Sequence, residues 1–255
     1  MPVQESCTVI KQEQLTDTVF ALTLSAPRIS RMAKAGQFVH MACGEAQLLR
    51  RPISICDTTQ DTLRVIFVVK GEGTKWLSQR KAGDTLDILG PAGHGFDLLK
   101  LGNKPVFIGG GIGVPPMLKS MKDAKAQGMQ PTAILGFRNR DAVILEEEFQ
   151  ALGTVYTATD DGSYGIHGFV SSVLENHISE FTSVCCCGPK GMLCALAAIA
   201  EQAGIPCQVS MEERMGCGIG ACLVCACALK GEDGQTKYGH VCKDGPVFDS
   251  KEVEW

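Results

Sequence analysis

The sequence is poor in aromatic residues and has no cluster of positive charge. Phenylalanine, tryptophan and tyrosine account for 6% of its 255 residues, and 24 lysines and arginines are outnumbered by 28 aspartates and glutamates, which leaves a net charge of −4. Proteins that bind nucleic acids or anionic membrane surfaces normally concentrate positive charge on one face. We therefore expect this protein to bind neither.

Long apolar segments are also missing from the sequence. No run approaches the roughly 20 apolar residues that a membrane-spanning helix needs, and the N-terminal stretch MPVQESCTVIKQEQ has no apolar core of the kind found in signal peptides. We expect a cytoplasmic protein without a membrane segment. In that reducing compartment, its 13 cysteines are expected to be metal ligands and buried thiols instead of disulfides.

The sequence does contain enough apolar residues for a large folded core, since 45% of its residues are hydrophobic and only 20% are charged. The first hundred residues consist of short apolar runs separated by turn residues, such as GQFVHMAC, RPISIC and TLRVIFVVK, with one short helical stretch, TKWLSQRK. Short strands at this spacing predict a small antiparallel β-barrel, which we place at residues 1–101.

Beyond the barrel the pattern changes to alternating strands and helices. NKPVFIGG is an apolar strand that ends in glycines, and a helix opened by Pro115 and Pro116 follows it. Strand and helix alternate four times, which predicts an α/β domain with a parallel sheet and helices on both faces at residues 102–210. Cysteine and glycine then replace regular periodicity, so we assign residues 211–255 to a separate small segment.

Two strand-to-helix turns in the α/β part are candidates for binding a dinucleotide. The glycines of GGGIGVPP let a pyrophosphate approach backbone N–H groups at the start of a helix, although such a turn can also be a simple tight connection. We place the second turn, CGPKGM, at the opposite end of the same sheet, where it either lines a nicotinamide pocket or is a capped turn with a buried thiol. The candidate residues are Gly110, Gly111, Gly113, Cys187 and Gly188.

The barrel carries a second set of phosphate-binding signals. In LLRRPISI, the guanidinium of Arg51 is suited to a phosphate and the hydroxyl of Ser54 to a flavin ring nitrogen, whereas a lone arginine there would be a solvated surface charge. About twenty residues later, GEGT opens the helix KWLSQR and offers another helix N-terminus to a pyrophosphate. Two separate phosphate sites predict two bound nucleotides, one in each domain.

The C-terminal segment has four cysteines at the spacing of a plant-type [2Fe–2S] site. Four residues separate Cys217 from Cys222, two separate Cys222 from Cys225, and sixteen separate Cys225 from Cys242. Zinc sites usually repeat a closely spaced pair of ligands, and no second pair is present, so zinc and purely structural thiols are weaker alternatives. Cys227 is expected to be a strand residue beside the site.

Six stretches of the sequence together resemble the electron-transfer subunits of type B, NAD-linked dihydroorotate dehydrogenases, within the ferredoxin–NADP reductase superfamily. They are RRPISI, GEGT, GGGIGVPP, TDDGSYG, CGP and MEERMGCGIGACLVCAC. The resemblance runs over essentially the whole chain. It implies FAD on the barrel, NAD on the α/β domain and a [2Fe–2S] cluster on the C-terminal segment. The residues at the family's FAD-contacting positions are Arg51, Pro52, Ile53, Ser54, Ile66, Phe67, Val68, Gly73 and Thr74. Relatives often have Tyr-Arg in place of Phe67-Val68, which implies main-chain contacts at these two residues.

The resemblance also implies a function and a partner. The protein would pass electrons from the FMN of a dihydroorotate dehydrogenase catalytic subunit, through its [2Fe–2S] cluster and FAD, to NAD⁺ in de novo pyrimidine biosynthesis. A heterotetramer with two copies of each subunit is expected, and no residue is nominated as a general acid or base. Two alternatives remain open: an NAD(P)H-dependent reductase subunit of a ferredoxin- or hydrogenase-linked complex, and a non-enzymatic redox sensor.

The turn TDDGSYG predicts a preference for NAD over NADP. Asp160 and Asp161 stand where the superfamily binds the adenosine ribose, and no lysine or arginine lies between positions 154 and 168. A carboxylate accepts a hydrogen bond from a ribose hydroxyl but repels a 2′-phosphate. The alternative is that both aspartates only cap the turn. Arg138 and Arg140 follow a neighbouring strand and could reach a phosphate.

Overall fold

The computed structural model describes residues 2–231 and 234–255. Its N-terminal part is a closed antiparallel barrel with the strand order β1-β2-β5-β4-β3-β6. The strands are β1 (Val3–Gln14), β2 (Val19–Ser25), β3 (Phe38–Met41), β4 (Arg51–Thr58), β5 (Thr62–Val68) and β6 (Thr85–Ala92). Because side chains alternate across a strand, residues such as Leu22, Leu24, Val39, Met41, Val65 and Phe67 are buried together in one core. The predicted barrel is confirmed.

Two short helices accompany the barrel, although the sequence predicted only one. Helix α2 (Glu72–Ser78) is the expected one, while helix α1 (Pro27–Met32) was missed. No side chain near the start of α1 caps it. Instead the carboxylate of Glu5 on β1 accepts hydrogen bonds from the backbone N–H groups of Arg28, at 3.1 Å, and Ile29, at 2.9 Å. The cap comes from another strand, so no local pattern announces the helix.

The central part of the chain forms the predicted parallel sheet. Its strands are β7 (Pro105–Gly110), β8 (Thr132–Phe137), β9 (Thr154–Thr159), β10 (Ile166–His167), β11 (Ser183–Cys187) and β12 (Cys207–Ser210). These six strands follow the order β10-β9-β8-β7-β11-β12 and are all parallel. The strand β12 was not predicted, because CQVS is too short to show a period.

Helices cover both faces of this sheet, as predicted. Helices α3 (Val114–Ala126) and α4 (Glu146–Gln150) pack on one face, and α5 (Val170–His177) and α6 (Lys190–Gln202) pack on the other. Neighbouring residues of β7 divide between the two faces, since Phe107 belongs to the first core and Ile108 to the second.

The C-terminal segment is joined to the central sheet. It contains a two-stranded ribbon, β13 (Ala226–Lys230) with β14 (Thr236–His240), and a final strand, β15 (Val247–Asp249), which pairs antiparallel with β12 at the sheet edge. The boundaries at residues 101 and 210 stay a prediction. No helix among the described residues is long and apolar enough to cross a membrane.

Candidate functional site

A cavity of about 640 Å³ opens on the outer face of the barrel, and we call it the barrel cavity. This volume is in the range of small-molecule and cofactor sites. Eight of the predicted FAD-contacting residues line it, namely Arg51, Pro52, Ile53, Ser54, Ile66, Phe67, Val68 and Thr74. Strands β4 and β5 are neighbours in the barrel, which is why two stretches separated in sequence meet at one wall.

The two phosphate-binding signals of the barrel also meet. The guanidinium of Arg51 lies against the first turn of α2, where a Cβ placed on Gly73 would be 2.6 Å from Arg51 Nε. Arg51 Nη2 donates to Gln47 Oε1 at 3.0 Å, and Nη1 donates to the carbonyl of Leu49. Thr74 Oγ1 accepts hydrogen bonds from two backbone N–H groups just before the helix. A cation and a helix start at one edge of the barrel cavity fit the diphosphate of a nucleotide.

A second cavity, of about 750 Å³, lies where the sheet meets its helices, and we call it the sheet cavity. Five of the predicted NAD-binding residues line it, namely Gly110, Gly111, Gly113, Asp160 and Gly188. The turn between β7 and α3 supplies three glycines whose missing side chains leave the backbone open to a ligand. This arrangement is suited to a pyrophosphate.

The two turns of the sheet pack on each other, so the expectation that CGPKGM lies at the opposite end of the sheet is wrong. Strand β11 pairs directly with β7 in parallel, with Cys187 opposite Gly109. Parallel neighbours end at the same sheet edge, which brings both turns together. A Cβ on Gly113 would lie 2.2 Å from the carbonyl oxygen of Cys187, so only glycine allows this contact.

Cys187 itself lies beneath the sheet cavity and is not among the described residues that line it. Burial, together with the charge of Glu212, raises the pKa of the Cys187 thiol to about 12. The group is therefore protonated near neutral pH and is a packed thiol, and its backbone carbonyl lies close to Gly113. The role predicted for Cys187 in the nicotinamide pocket stays a prediction.

The two aspartates of TDDGSYG have different surroundings. Asp160 lines the sheet cavity. Asp161 accepts hydrogen bonds from the backbone N–H and the hydroxyl of Ser163, at 2.9 and 2.6 Å, and therefore caps the turn. Arg138 also lines the cavity, while the Arg140 guanidinium lies over the Tyr164 ring at 5.7 Å. The structure thus leaves one aspartate and one arginine facing the site.

Three residues that the sequence analysis did not nominate line both cavities. They are Lys70, Ile112 and Glu212. Ile112 stands between the glycines of GGGIG, Lys70 directly precedes GEGT, and Glu212 begins the EER of the cysteine segment. Each lies in or beside one of the motifs described above. Only the packing of the barrel against the sheet shows that all three lie between the two cavities.

The four cysteines predicted as cluster ligands are brought together in two pairs. Cys217 N–H donates to Cys222 Sγ at 3.3 Å, and Cys242 N–H donates to Cys225 Sγ at 3.4 Å. Gly220 N–H, which donates to Cys242 Sγ at 3.0 Å, joins the two pairs. Among the described residues, no three potential ligands converge on a single ion. Two separate pairs fit two irons better than one zinc ion.

Backbone N–H groups point at the cysteine sulfurs, as an iron–sulfur site requires. Burial opposes ionisation of Cys217, but N–H donors from Ile219, Cys222 and Ala221 outweigh it and lower the pKa of that thiol to about 6. Burial and the neighbouring Cys225 raise the pKa of Cys242 to about 12. Metal ligation needs thiolates, so the N–H donors around Cys217 favour the form of this thiol that binds iron.

Two family descriptions match this chain. Residues 107–197 match the oxidoreductase NAD-binding domain, and residues 212–254 match the iron–sulfur cluster binding domain of dihydroorotate dehydrogenase B. Over 256 residues, the chain is 44% identical to the dihydroorotate dehydrogenase B (NAD(+)), electron transfer subunit, of Geobacillus thermodenitrificans, with 98% of both chains covered. The chain belongs to this electron transfer subunit family.

Other relatives and solved structures agree with this membership. The electron transfer subunit of Bacillus cereus strain B4264 is 41% identical over 259 residues, with 99% of each chain covered. The structure of an NADH-dependent reduced ferredoxin–NADP oxidoreductase superposes with a TM-score of 0.86 at 30% identity, over 97% of this chain and 89% of that one. A ferredoxin NADP⁺ reductase from Neisseria gonorrhoeae has the same fold, with a TM-score of 0.68 at 19% identity over 79% of this chain and 92% of that one.

These findings confirm several predictions made from the sequence. The electron transfer subunit family, the barrel and parallel-sheet fold and the assignment as an oxidoreductase subunit are confirmed. The predicted cofactors, FAD, a [2Fe–2S] cluster and NAD, agree with the family and its fold. The individual residues that hold each cofactor stay predictions, and they belong to the proposal below.

Proposed function

We propose that this chain carries electrons between a catalytic subunit that contains FMN and oxidises dihydroorotate, and NAD⁺ bound in its own sheet cavity. The electrons enter at the cysteine site, pass the barrel cavity and leave at the sheet cavity. The role belongs to de novo pyrimidine biosynthesis, in the cytoplasm. The three parts, residues 1–101, 102–210 and 211–255, would hold FAD, NAD and the [2Fe–2S] cluster.

The observation that carries this proposal is the continuity of the three sites. Met215 and Val241 line the barrel cavity; Met215 is two residues from Cys217, and Val241 directly precedes Cys242. On its other side the barrel cavity shares Ile112 with the sheet cavity. Electron transfer needs close cofactors, and each site here touches the next.

The residues of the two cavities would bind and orient the cofactors. Arg51 would neutralise the FAD diphosphate, Ser54 would lie beside the isoalloxazine ring, and the glycine turn at 110–113 would hold the NAD pyrophosphate. Asp160 would accept a hydrogen bond from the ribose. Bound FAD supplies the exchange between single electrons and a two-electron hydride, so no side chain has to act as a general acid or base.

The catalytic subunit would dock over the cysteine segment. Ile219, Leu223 and Val224 are each more than half exposed, at 54%, 61% and 56%, and all three lie beside the predicted cluster ligands. Exposed apolar groups of this kind are typical of protein interfaces. A partner seated there would cover the cluster and deliver electrons to it over a short distance. The assembly would contain two copies of each subunit.

An anaerobic experiment on the co-expressed complex tests the proposal. Dihydroorotate should bleach the flavin and iron–sulfur absorption bands and then reduce added NAD⁺, and NADH alone should reduce the flavin of the isolated chain. Isolated chain without flavin or iron–sulfur absorption would exclude the electron-carrier role. Cofactor-loaded chain that never forms a complex with the catalytic subunit would exclude the partner.

A ferredoxin-linked reductase is a second candidate, because the solved structure with a TM-score of 0.86 is an NADH-dependent reduced ferredoxin–NADP oxidoreductase. This role would leave the cysteine segment open to a small iron–sulfur protein. NADH-dependent reduction of ferredoxin by the isolated chain, at a rate comparable to transfer within the dihydroorotate complex, would favour it.

A further inference from the structure

His40 is a buried side chain without hydrogen bonds. It lies on β3, its exposed fraction is 0%, and neither Nδ1 nor Nε2 has a hydrogen-bond partner. Within residues 2–231 and 234–255, these two nitrogens are the only buried side-chain nitrogen or oxygen atoms without one. A buried polar group left unpaired costs about 1–3 kcal/mol, so an unpaired histidine in an otherwise satisfied core indicates a function.

The cysteine segment packs on this imidazole. Gly218 has φ +73°, and a Cβ at that position would lie 2.5 Å from His40 Nδ1. Gly218 directly follows Cys217, a predicted cluster ligand, and the backbone carbonyls of Cys217 and Arg50 act on the ring without completing a hydrogen bond.

The same ring lies beside the wall of the barrel cavity. His40 pairs directly with Pro52 across the β3–β4 ladder, and directly paired residues face the same side of a sheet. Pro52 lines the barrel cavity, and so does Phe38, two residues before His40 on the same side of β3. His40 thus stands between the predicted FAD site and the predicted cluster site.

An imidazole carries a hydrogen on at least one ring nitrogen in either protonation state. Nδ1 is the nitrogen nearest to the Cys217–Gly218 turn.

We propose that His40 is a positioning residue of the iron–sulfur site, whose Nδ1–H would donate a hydrogen bond to a sulfur of the bound cluster. The proposal rests on the function proposed above. A hydrogen bond to a cluster sulfur stabilises the extra negative charge of the reduced form and raises the reduction potential. His40 would therefore influence both the position of the cluster relative to the barrel cavity and the potential at which the cluster accepts an electron.

Asparagine and glutamine distinguish the two ring nitrogens. The amide nitrogen of Asn occupies nearly the place of Nδ1, and that of Gln nearly the place of Nε2, while Leu has similar bulk and no donor. The three variants His40→Asn, His40→Gln and His40→Leu are compared in the full-length, cofactor-loaded chain. The control is His177→Asn, on α5, where the ring packs on Tyr156 and hydrogen-bonds with Glu180. The measurements are the cluster reduction potential, from an EPR-monitored redox titration, and the g-values of the reduced cluster.

We expect a lower potential and altered g-values for His40→Leu and His40→Gln, and near-parental values for His40→Asn and His177→Asn. Unchanged potentials in all His40 variants, or rescue by Gln and not by Asn, would overturn the proposal while leaving the proposed function intact. Should His40→Leu fail to fold, the contrast between Asn and Gln decides. Parent protein that assembles no [2Fe–2S] cluster would overturn both proposals.

Discussion

The backbone of Gly73 packs directly against the guanidinium of Arg51, at a distance that leaves no room for a side chain. A Cβ on Gly73 would lie 2.6 Å from Arg51 Nε and 2.8 Å from Cζ. The contact joins the two motifs of the barrel, RRPISI and GEGT, and fixes the charged group at the start of α2.

This contact predicts that Gly73→Ala loosens FAD without weakening the fold. The methyl group would push aside only the flexible end of Arg51, and alanine suits a helix better than glycine. A lost charged hydrogen bond costs about 1.5–3 kcal/mol, so FAD retention through gel filtration should fall roughly tenfold or more, as it should for Arg51→Ala. Gly191→Ala, in the first turn of α6, is the control, because a Cβ added there would meet no atom of the surrounding described residues within 4 Å. Full retention by both Gly73→Ala and Arg51→Ala would contradict this role.

The cysteine pairs predict which thiols hold iron. Cys242→Ser should lose most iron and acid-labile sulfide, because Cys242 closes the second pair. Cys227→Ala should keep both, since Cys227 is a buried strand residue on β13. The iron and sulfide contents of the purified variants test this prediction. Equal losses in both variants would contradict the assignment of Cys242 as a cluster ligand.

The surroundings of Asp160 predict a preference for NADH over NADPH of at least about tenfold in kcat/KM with an artificial electron acceptor. Two unit charges about 4 Å apart interact by roughly 4 kcal/mol at an effective dielectric of 20, so even a screened carboxylate strongly opposes a 2′-phosphate. Asp160→Asn should reduce the preference. Asp161→Asn should not, because Asp161 is engaged with Ser163. Similar efficiency with both nucleotides in the parent would refute the prediction.

The exposed apolar residues of the cysteine segment predict a docking defect for Leu223→Asp. Leu223 has φ +61°, a conformation that aspartate adopts more readily than leucine, so the substitution should not strain the backbone. A charge at an apolar interface should prevent co-purification with the catalytic subunit while cofactor content stays normal. Leu99→Asp, at a residue that is 90% exposed and lies elsewhere, is the matched control. Sedimentation of the co-expressed subunits measures complex formation by both variants. An intact complex with Leu223→Asp would show that the interface does not lie on this surface.

The long-range cap on α1 predicts a stability effect for Glu5→Ala. Glu5 accepts two backbone hydrogen bonds at the start of the helix, and bonds to a charged group contribute about 1.5–3 kcal/mol. The free energy of unfolding should fall by at least about 1.5–3 kcal/mol in urea titrations. Glu13→Ala, which removes a surface ion pair with Lys11, should change it by less than about 1 kcal/mol. Equal effects would show that the cap is unimportant.

The sequence by itself determined the features whose chemistry is local. The spacing of Cys217, Cys222 and Cys225 indicates an iron–sulfur loop because the ligands of one pair must lie within one short turn. The glycines before Pro115 indicate a strand-to-helix turn for the same reason. Alternating apolar residues predicted the barrel, and repeated strand–helix units predicted the parallel sheet, because each pattern reports the period of its own element.

Only the tertiary structure decided the relationships between distant elements. Glu5, which lies more than twenty residues before α1 in the chain, caps this helix from β1, and the pairing of β11 with β7 places two turns at one edge. Ile112 lines both cavities because the barrel packs against the sheet. His40 lies unpaired against the cysteine segment because that segment packs on β3. The physical reason is that the spacing of apolar residues in a segment shows only which side of that strand or helix is buried. Which residues of other elements it contacts depends on how whole strands and helices pack together, and no local pattern in the sequence records that packing.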